Sequence, residues 1–336
     1  MSSVIPYVDT LGFIGDVGPP IFGEVTRKNL LESGVKLIQL TSAWPMQNWA
    51  ATLASHKETV RWLNQNSDAF QIVLNRTDLR RLVKSDKLGV ILTVQDPTCI
   101  GENVDRVQTL FEEGVRVLQV AYQSKNQNGY GFMAEGEDAG LTTTGRKFVS
   151  GVNEVGAILD LSHLAPKTAL DCISVTTGPV MISHTSARGV YDHPRGTADE
   201  VLRAIVSHDP TIVGIFAMTF FLDPAQNGLG PMVKHIEYVA DIVGSSRIAV
   251  GSDGPVGGFT DLKAAETIFY EKTKKLIDPN GALKSRWPTH IPEVSNHPYG
   301  FRILGDALFK RFSPQEVAGI LGGNAWRFFE RSLPPA

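Results

Sequence analysis

Two Ser-His pairs each close a short apolar run, Leu159-Asp160-Leu161-Ser162-His163 and Val180-Met181-Ile182-Ser183-His184. Histidines at the ends of neighbouring strands converge on one point, and paired imidazole nitrogens suit a zinc-like ion. A lone strand-end histidine is more often a hydrogen-bonded loop residue, so the pairing carries the argument. Other reactive types follow further apolar runs: Asp9 with Leu11 and Phe13, Gln95 with Asp96, Tyr122, and Asp253 in Gly251-Ser252-Asp253. Asp192-His193-Pro194-Arg195 reads as a turn presenting Arg195, whose planar fork grips a carboxylate; a structural ion pair is the alternative. Serine chemistry is not indicated. There is no GxSxG elbow, and a Ser directly before a His in a strand points to the opposite face. Cys99 and Cys172 read as buried small residues. His56, His208, His235, His290 and His297 lie in helical or loop contexts with little functional signal.

The elements that must position these groups are legible as alternating short strands and helices. Strands are expected at Ile5–Val8, Val35–Thr41, Gly89–Thr93, Val115–Ala121, Val155–Leu161, Val180–Ser183, Ile212–Phe216 and Arg247–Val250. Most are apolar on both faces, as strands covered by helices and a barrel interior should be. Amphipathic stretches between them include Asn103–Glu113, Thr142–Glu154, Thr197–Ser207 and Met232–Val243. Eight such units argue an α/β fold, a single (β/α)8 TIM barrel over residues 1–336, ahead of an open doubly wound sheet. In that fold the active site forms at the C-terminal ends of the strands. Gly-, Asn- and Pro-rich stretches at 122–140 and 279–300 read as mouth loops, and 313–330 as a helical segment capped by Ser313.

Composition narrows the classes. The 336 residues are 42% hydrophobic and 20% charged with a net charge of −3, and the cations are scattered. Nothing indicates a nucleic-acid or membrane partner, and no apolar run approaches the roughly 18 residues a bilayer demands. Met1 to Asp9 lacks the pattern of a secretory signal. Two cysteines without a CxxC pair suit a reduced, cytoplasmic setting.

The chain resembles the membrane (renal) dipeptidases, metal-dependent barrels of the amidohydrolase superfamily. The stretches that match in order and spacing are Gly114-Val115-Arg116, Asn126, Glu137-Asp138-Ala139-Gly140-Leu141-Thr142, the two Ser-His runs, His193-Pro194-Arg195-Gly196, Gly251-Ser252-Asp253 and Leu321-Gly322-Gly323-Asn324. The resemblance implies that His163 and His184 are ligands of a second metal site and that Asp253 handles the catalytic water. It implies Arg195 for the substrate's carboxylate, and it puts Tyr122 where classical members carry a carbonyl-polarising histidine. It also implies a small-molecule substrate, a dipeptide or related amide with a free carboxylate, and barrels that often pair as homodimers. The departures are specific. Leu11 and Phe13 stand where the family has His-x-Asp, and Gln95 replaces the bridging glutamate, leaving a weak ligand at best. A divergent bacterial branch of the family is similar. What remains can hold at most one zinc ion. The alternatives are a metal-free acid–base enzyme, an isomerase or lyase on an amino-acid derivative, and a non-catalytic binding homologue.

Overall fold

The computed structural model describes residues 6–14, 24–223, 225, 226, 228–259, 261, 263, 267 and 290–336. Among them nine strands form one parallel sheet: β1 (Tyr7–Gly12), β2 (Val35–Thr41), β3 (Phe70–Ile72), β4 (Leu88–Val94), β5 (Val115–Gln119), β6 (Ile158–Asp160), β7 (Val180–Thr185), β8 (Thr211–Ile215) and β9 (Ile248–Val250). β2 pairs with both β1 and β4, and β1 with β9, so eight strands close into a barrel. The ninth, β3, was not expected. It pairs only with Leu88–Val90 of β4, before β5 takes over at Leu92.

The boundaries of β1 and β6 differ from expectation for physical reasons. β1 starts at Tyr7 and runs to Gly12, so Leu11 is a strand residue rather than a loop residue. Val155 closes the helix Thr143–Val155, which Thr142 caps by accepting from the Gly145 amide. Gly156 then adopts the left-handed conformation that commonly ends a helix, and β6 begins only at Ile158. The C-terminal segment forms as expected: Ser313 and Glu316 make a reciprocal capping box ahead of helix Pro314–Ala318, and helix Asn324–Ser332 follows. The mouth segment 122–140 is irregular, held by the Asn126 and Asn128 amides on the Val120 carbonyl. The second expected mouth loop, 279–300, is described only from residue 290, where Pro292–Ser295 is helical.

The lumen is layered because strand side chains alternate with period two. Val8, Leu37, Ile91, Val117, Ile158, Met181, Ile212 and Ala249, one per barrel strand, pack with Phe328 and Phe329 into an apolar floor. Two residues along each strand, the composition turns polar: Thr10, Gln39, Thr93, Gln119, Asp160 and Ser183, with glycine at 214 and 251. The glycines are required by close approach. A Cβ at either would lie 2.0 Å from the Ser183 carbonyl oxygen. Through that gap the Thr10 hydroxyl reaches Ser183 O at 2.7 Å and Val250 O at 3.0 Å, lashing β1 to β7. Gly251→Ala is therefore expected to destabilise by about 1–3 kcal/mol, an overpacking cost, read as a lowered denaturant midpoint at unchanged slope. A neutral result would show that the gap is slack.

Candidate active site

Asp160 ends β6 with a fully buried carboxylate that gathers five donors. Oδ1 accepts from the Ser162 amide (3.0 Å), the Ser162 hydroxyl (2.7 Å) and the Ser183 amide (3.0 Å). Oδ2 accepts from the Ser183 hydroxyl (2.5 Å) and Gln119 Nε2 (3.3 Å). That carboxylate ties the ends of β6 and β7 together, and each end carries a histidine. His163 adopts φ 69° just past β6, a conformation costing a non-glycine residue about 1–3 kcal/mol. On β7 the pairing with β8 shifts register between Ile182 and Thr185. This irregularity overturns the expected opposite facing of Ser183 and His184, because Ser183 Oγ lies 2.7 Å from His184 Nδ1.

The two rings meet. His163 Nε2 and His184 Nε2 are 2.8 Å apart, and both imidazoles are buried. Burial, and then the charge of Arg195, hold both well below the usual histidine range, so both are neutral at physiological pH. Arg195 arrives on the loop after β7. That loop is closed by the Ala187–Thr197 bridge, and within it the Arg195 amide donates to His193 Nδ1. Its guanidinium is buried between Phe216 and Phe132, 5.1 and 5.8 Å from their ring centres. Nη2 donates to the His184 carbonyl (3.0 Å) and lies 3.1 Å from His163 Nε2. Burial lowers Arg195 to about 10. Among the described residues, two buried polar atoms of this cluster, Arg195 Nη1 and His163 Nδ1, have no hydrogen-bond partner.

Tyr122 and Asp253 complete the group. The half-buried Tyr122 packs at a 32° tilt on His163 with ring centres 4.4 Å apart, and desolvation raises its phenol so that it stays protonated. Asp253, past β9, also has positive φ, 51°. Its amide donates to the Leu11 carbonyl, and its own carbonyl accepts from His290 Nε2. Desolvation raises its carboxyl to about 6, against the pull of Arg195. Gln95 is held aside: Nε2 donates to Thr41 Oγ1 (2.6 Å) and Oε1 accepts from Gln119 (3.5 Å). Leu11 is buried, and Phe13 leans on Phe259 with centres 6.1 Å apart.

Sequence reasoning gave no role to Asp160 or His290, and it placed Asp9 after the first strand rather than inside β1. Asp9 is buried, bonded by Ser252 and the Leu11 amide, and burial pushes it up to about 7. The available signal was an acidic residue inside an apolar strand run, which is rarely buried without partners.

Comparison with known proteins places this geometry. The family profile described as membrane dipeptidase (peptidase family M19) matches residues 20–278, more than half of the chain. The chain belongs to the membrane dipeptidase family. A dipeptidase of Schizosaccharomyces pombe, itself uncharacterized, is 33% identical over 150 residues, which are 44% of this chain and 37% of that protein's length. An amidohydrolase from Pseudomonas aeruginosa superposes with TM-score 0.81 at 25% identity, covering 98% of this chain and 97% of the other. A metallopeptidase from Rhodobacter sphaeroides, liganded with a phosphinate mimic of L-Ala-D-Ala, superposes with TM-score 0.76 at 18% identity over 98% and 99% of the two chains. At that identity it shares the fold.

A family barrel brings the question of zinc, which commonly takes three protein ligands at a catalytic site, with nitrogen near 2.0–2.1 Å. His163 and His184 supply two nitrogens. Among the described residues no group of three or more His, Cys, Asp and Glu is placed to hold an ion. Leu11 and Phe13 offer no lone pairs, and Gln95 is engaged by Thr41 and Gln119. The Arg195 guanidinium stands 3.1 Å from the nitrogen a metal would need. A divalent ion about 4 Å from that fixed charge would be repelled by several kcal/mol at the effective dielectric of a protein site. Among the described residues, the side chains at this site do not fit a zinc ion.

The Arg195 charge disfavours imidazolium and favours carboxylate, so its removal should move both groups upward. In Arg195→Met the titrations of His163 and Asp253, followed by NMR, are expected to shift to higher pH, Asp253 to above about 6. Unmoved midpoints would mean the guanidinium is electrically remote from the pair.

Proposed function

We propose that the chain hydrolyses a dipeptide or related small amide bearing a free carboxylate, using its own acid–base groups without a resident zinc ion. The observation that carries this reading is the buried Arg195 Nη1, a cationic donor with no hydrogen-bond partner among the described residues, on a guanidinium that feels the charge of Asp253. A buried charged donor left unpaired costs several kcal/mol, and a substrate carboxylate would satisfy it. The expected two-armed grip is reduced to one free arm, because Nη2 already serves the His184 carbonyl. The names of the yeast and Rhodobacter sphaeroides relatives make dipeptides the first compounds to try.

In this mechanism Arg195 holds the carboxylate, and Asp253, ionised above about pH 6, takes a proton from water as its oxygen bonds to the amide carbon. Tyr122, kept protonated by its surroundings, donates to the carbonyl oxygen as charge develops there. The C–N bond then breaks, and the amine leaves with the proton held by Asp253. Leu11 and the Phe13–Phe259 pair help exclude bulk water. A reducing compartment suits the two buried free cysteines, and among the described residues no helix is long and apolar enough to cross a membrane.

One observation favours a second reading. With a guanidinium where an ion would sit, the pocket lacks a strong electrophile, which suits an isomerase or lyase acting on an amino-acid derivative. Turnover in oxygen-labelled water separates the two, since only hydrolysis places the label in the new carboxylate. A binding homologue would turn over nothing.

On the best substrate, kcat/KM is expected to rise with pH through about 6 and to lose that limb in Asp253→Asn. Arg195→Met should raise KM roughly 10- to 150-fold, the equivalent of one charged hydrogen bond of about 1.5–3 kcal/mol. The purified protein should carry background zinc and keep its activity in chelator. Stoichiometric zinc with activity lost on chelation would sink the metal-free mechanism.

A further inference from the structure

The Arg195 guanidinium lies between two aromatic rings that differ in what covers them. Phe216 is fully buried, whereas Phe132 is half-buried and keeps part of its surface open. Phe132 stands on the irregular segment after β5, where close backbone approach dictates its place. A Cβ at Gly131 would lie 2.4 Å from the Tyr122 carbonyl oxygen, so only glycine lets the segment fold back on itself. The Phe132 amide then donates to the His163 carbonyl at 2.8 Å, and the Met133 amide to the Gln123 carbonyl at 2.8 Å. Held in this way, the Phe132 ring centre is 6.4 Å from that of His193 and 6.3 Å, edge-on, from that of Phe221. His193 and Phe221 are themselves 4.8 Å apart, and Phe221 packs on Phe216 at 5.8 Å. Segments that follow β5, β7 and β8 thus join in one aromatic wall, anchored in the core at Phe216 and open at Phe132 and the half-buried His193. Burial, and then the charge of Arg195, hold His193 down at about 4, so the wall is uncharged near neutral pH.

An open apolar surface beside a charged donor is stabilised when one ligand covers both. A carboxylate bonded to Arg195 Nη1 sits about 2.7–2.9 Å from that nitrogen. The guanidinium carbon is 5.8 Å from the Phe132 ring centre, so a side chain on the carbon that bears the carboxylate is within reach of the ring. We propose that Phe132, with His193 beside it, is the specificity-determining residue of the site. It receives the side chain of the residue that carries the substrate's free carboxylate, and it selects aromatic and large aliphatic side chains over glycine. This rests on Arg195 Nη1 as the partner of that carboxylate and adds the chemistry of the group next to it. An acidic or amide side chain would have to give up water against carbon there.

Two simple probes isolate the wall. Acetate and 3-phenylpropanoate carry hydrogen and a benzyl group on the carbon next to the carboxylate, and neither has an amide bond to cleave. Their dissociation constants are measured by NMR titration of the whole protein. The wild type is expected to bind 3-phenylpropanoate roughly 10-fold or more tighter than acetate, the worth of covering part of a benzyl group. Phe132→Ala should bring that ratio close to one, and Phe132→Leu, which keeps much of the volume without the ring, should lower it partway. A Phe132 that only props the guanidinium would weaken both probes in proportion and leave the ratio untouched. Arg195→Met should weaken both. If neither probe binds the wild type, or if Arg195→Met changes neither affinity, the carboxylate reading fails and this inference falls with it. If binding depends on Arg195 but the wild type shows no preference, the inference alone is overturned. A preference that survives in Phe132→Ala, or in Phe132→Leu should the alanine variant not fold, overturns it equally.

Discussion

A buried guanidinium pressed against the His163 imidazole and the His184 carbonyl is the interaction on which the rest of this site depends. Arg195 gives up most of its hydration and recovers it from one carbonyl, two aromatic faces and the charge of Asp253. Burying a cation is costly unless its donors are met, and here one donor stays unmet. Its charge helps keep both histidines neutral and draws the Asp253 carboxyl down from where burial alone would leave it. The site therefore balances its charges among its own side chains. An ion added beside Arg195 would disturb each of those values in the same direction.

The three departures from the family pattern are consistent with that balance. Leu11 and Phe13 put carbon where the resemblance implies an imidazole and a carboxylate, and Gln95 puts an amide where it implies a carboxylate. Gln95 does what glutamate could not, since it donates to Thr41 while accepting from Gln119. The groups left are met by hydrogen bonds, apart from His163 Nδ1 and Arg195 Nη1, which have no partner among the described residues. The two histidines remain because they have other partners, Ser183 on one side and Tyr122 on the other.

Apolar runs bounded by turn residues made seven of the eight barrel strands legible nearly in place, because burial on both faces writes itself into composition. β3 escaped notice, being three residues long and paired with only half of β4. The convergence of His163 and His184 was legible from their matching places at the ends of adjacent strands. The Ser183–His184 contact was not, because alternation assumes a regular strand and β7 slips register at that point. Arg195 was legible as a pocket residue from its turn, but its contact with His163 depends on how the 186–198 loop folds back, which no local pattern records. Asp160 was hidden in a stretch that reads as plain strand, although its isolation among leucines was the clue.

The layering of the lumen explains how a carboxylate can sit inside a barrel at all. Below Asp160 lies the apolar floor closed by Phe328 and Phe329, and beside it the polar ring supplies Ser183 and Gln119. Five donors converge on the two oxygens, two of them backbone amides whose direction the strands fix. Such a group cannot give up its acceptor role without breaking the ends of β6 and β7. Thr10 adds a second brace by holding the Ser183 carbonyl through the gap over two glycines. The strain at His163 and Asp253 is stored between these braces, at the outer ends of β6 and β9. A rigid polar ring thus fixes the strand ends, and the strained residues beyond it carry the His163 imidazole and the Asp253 carboxyl.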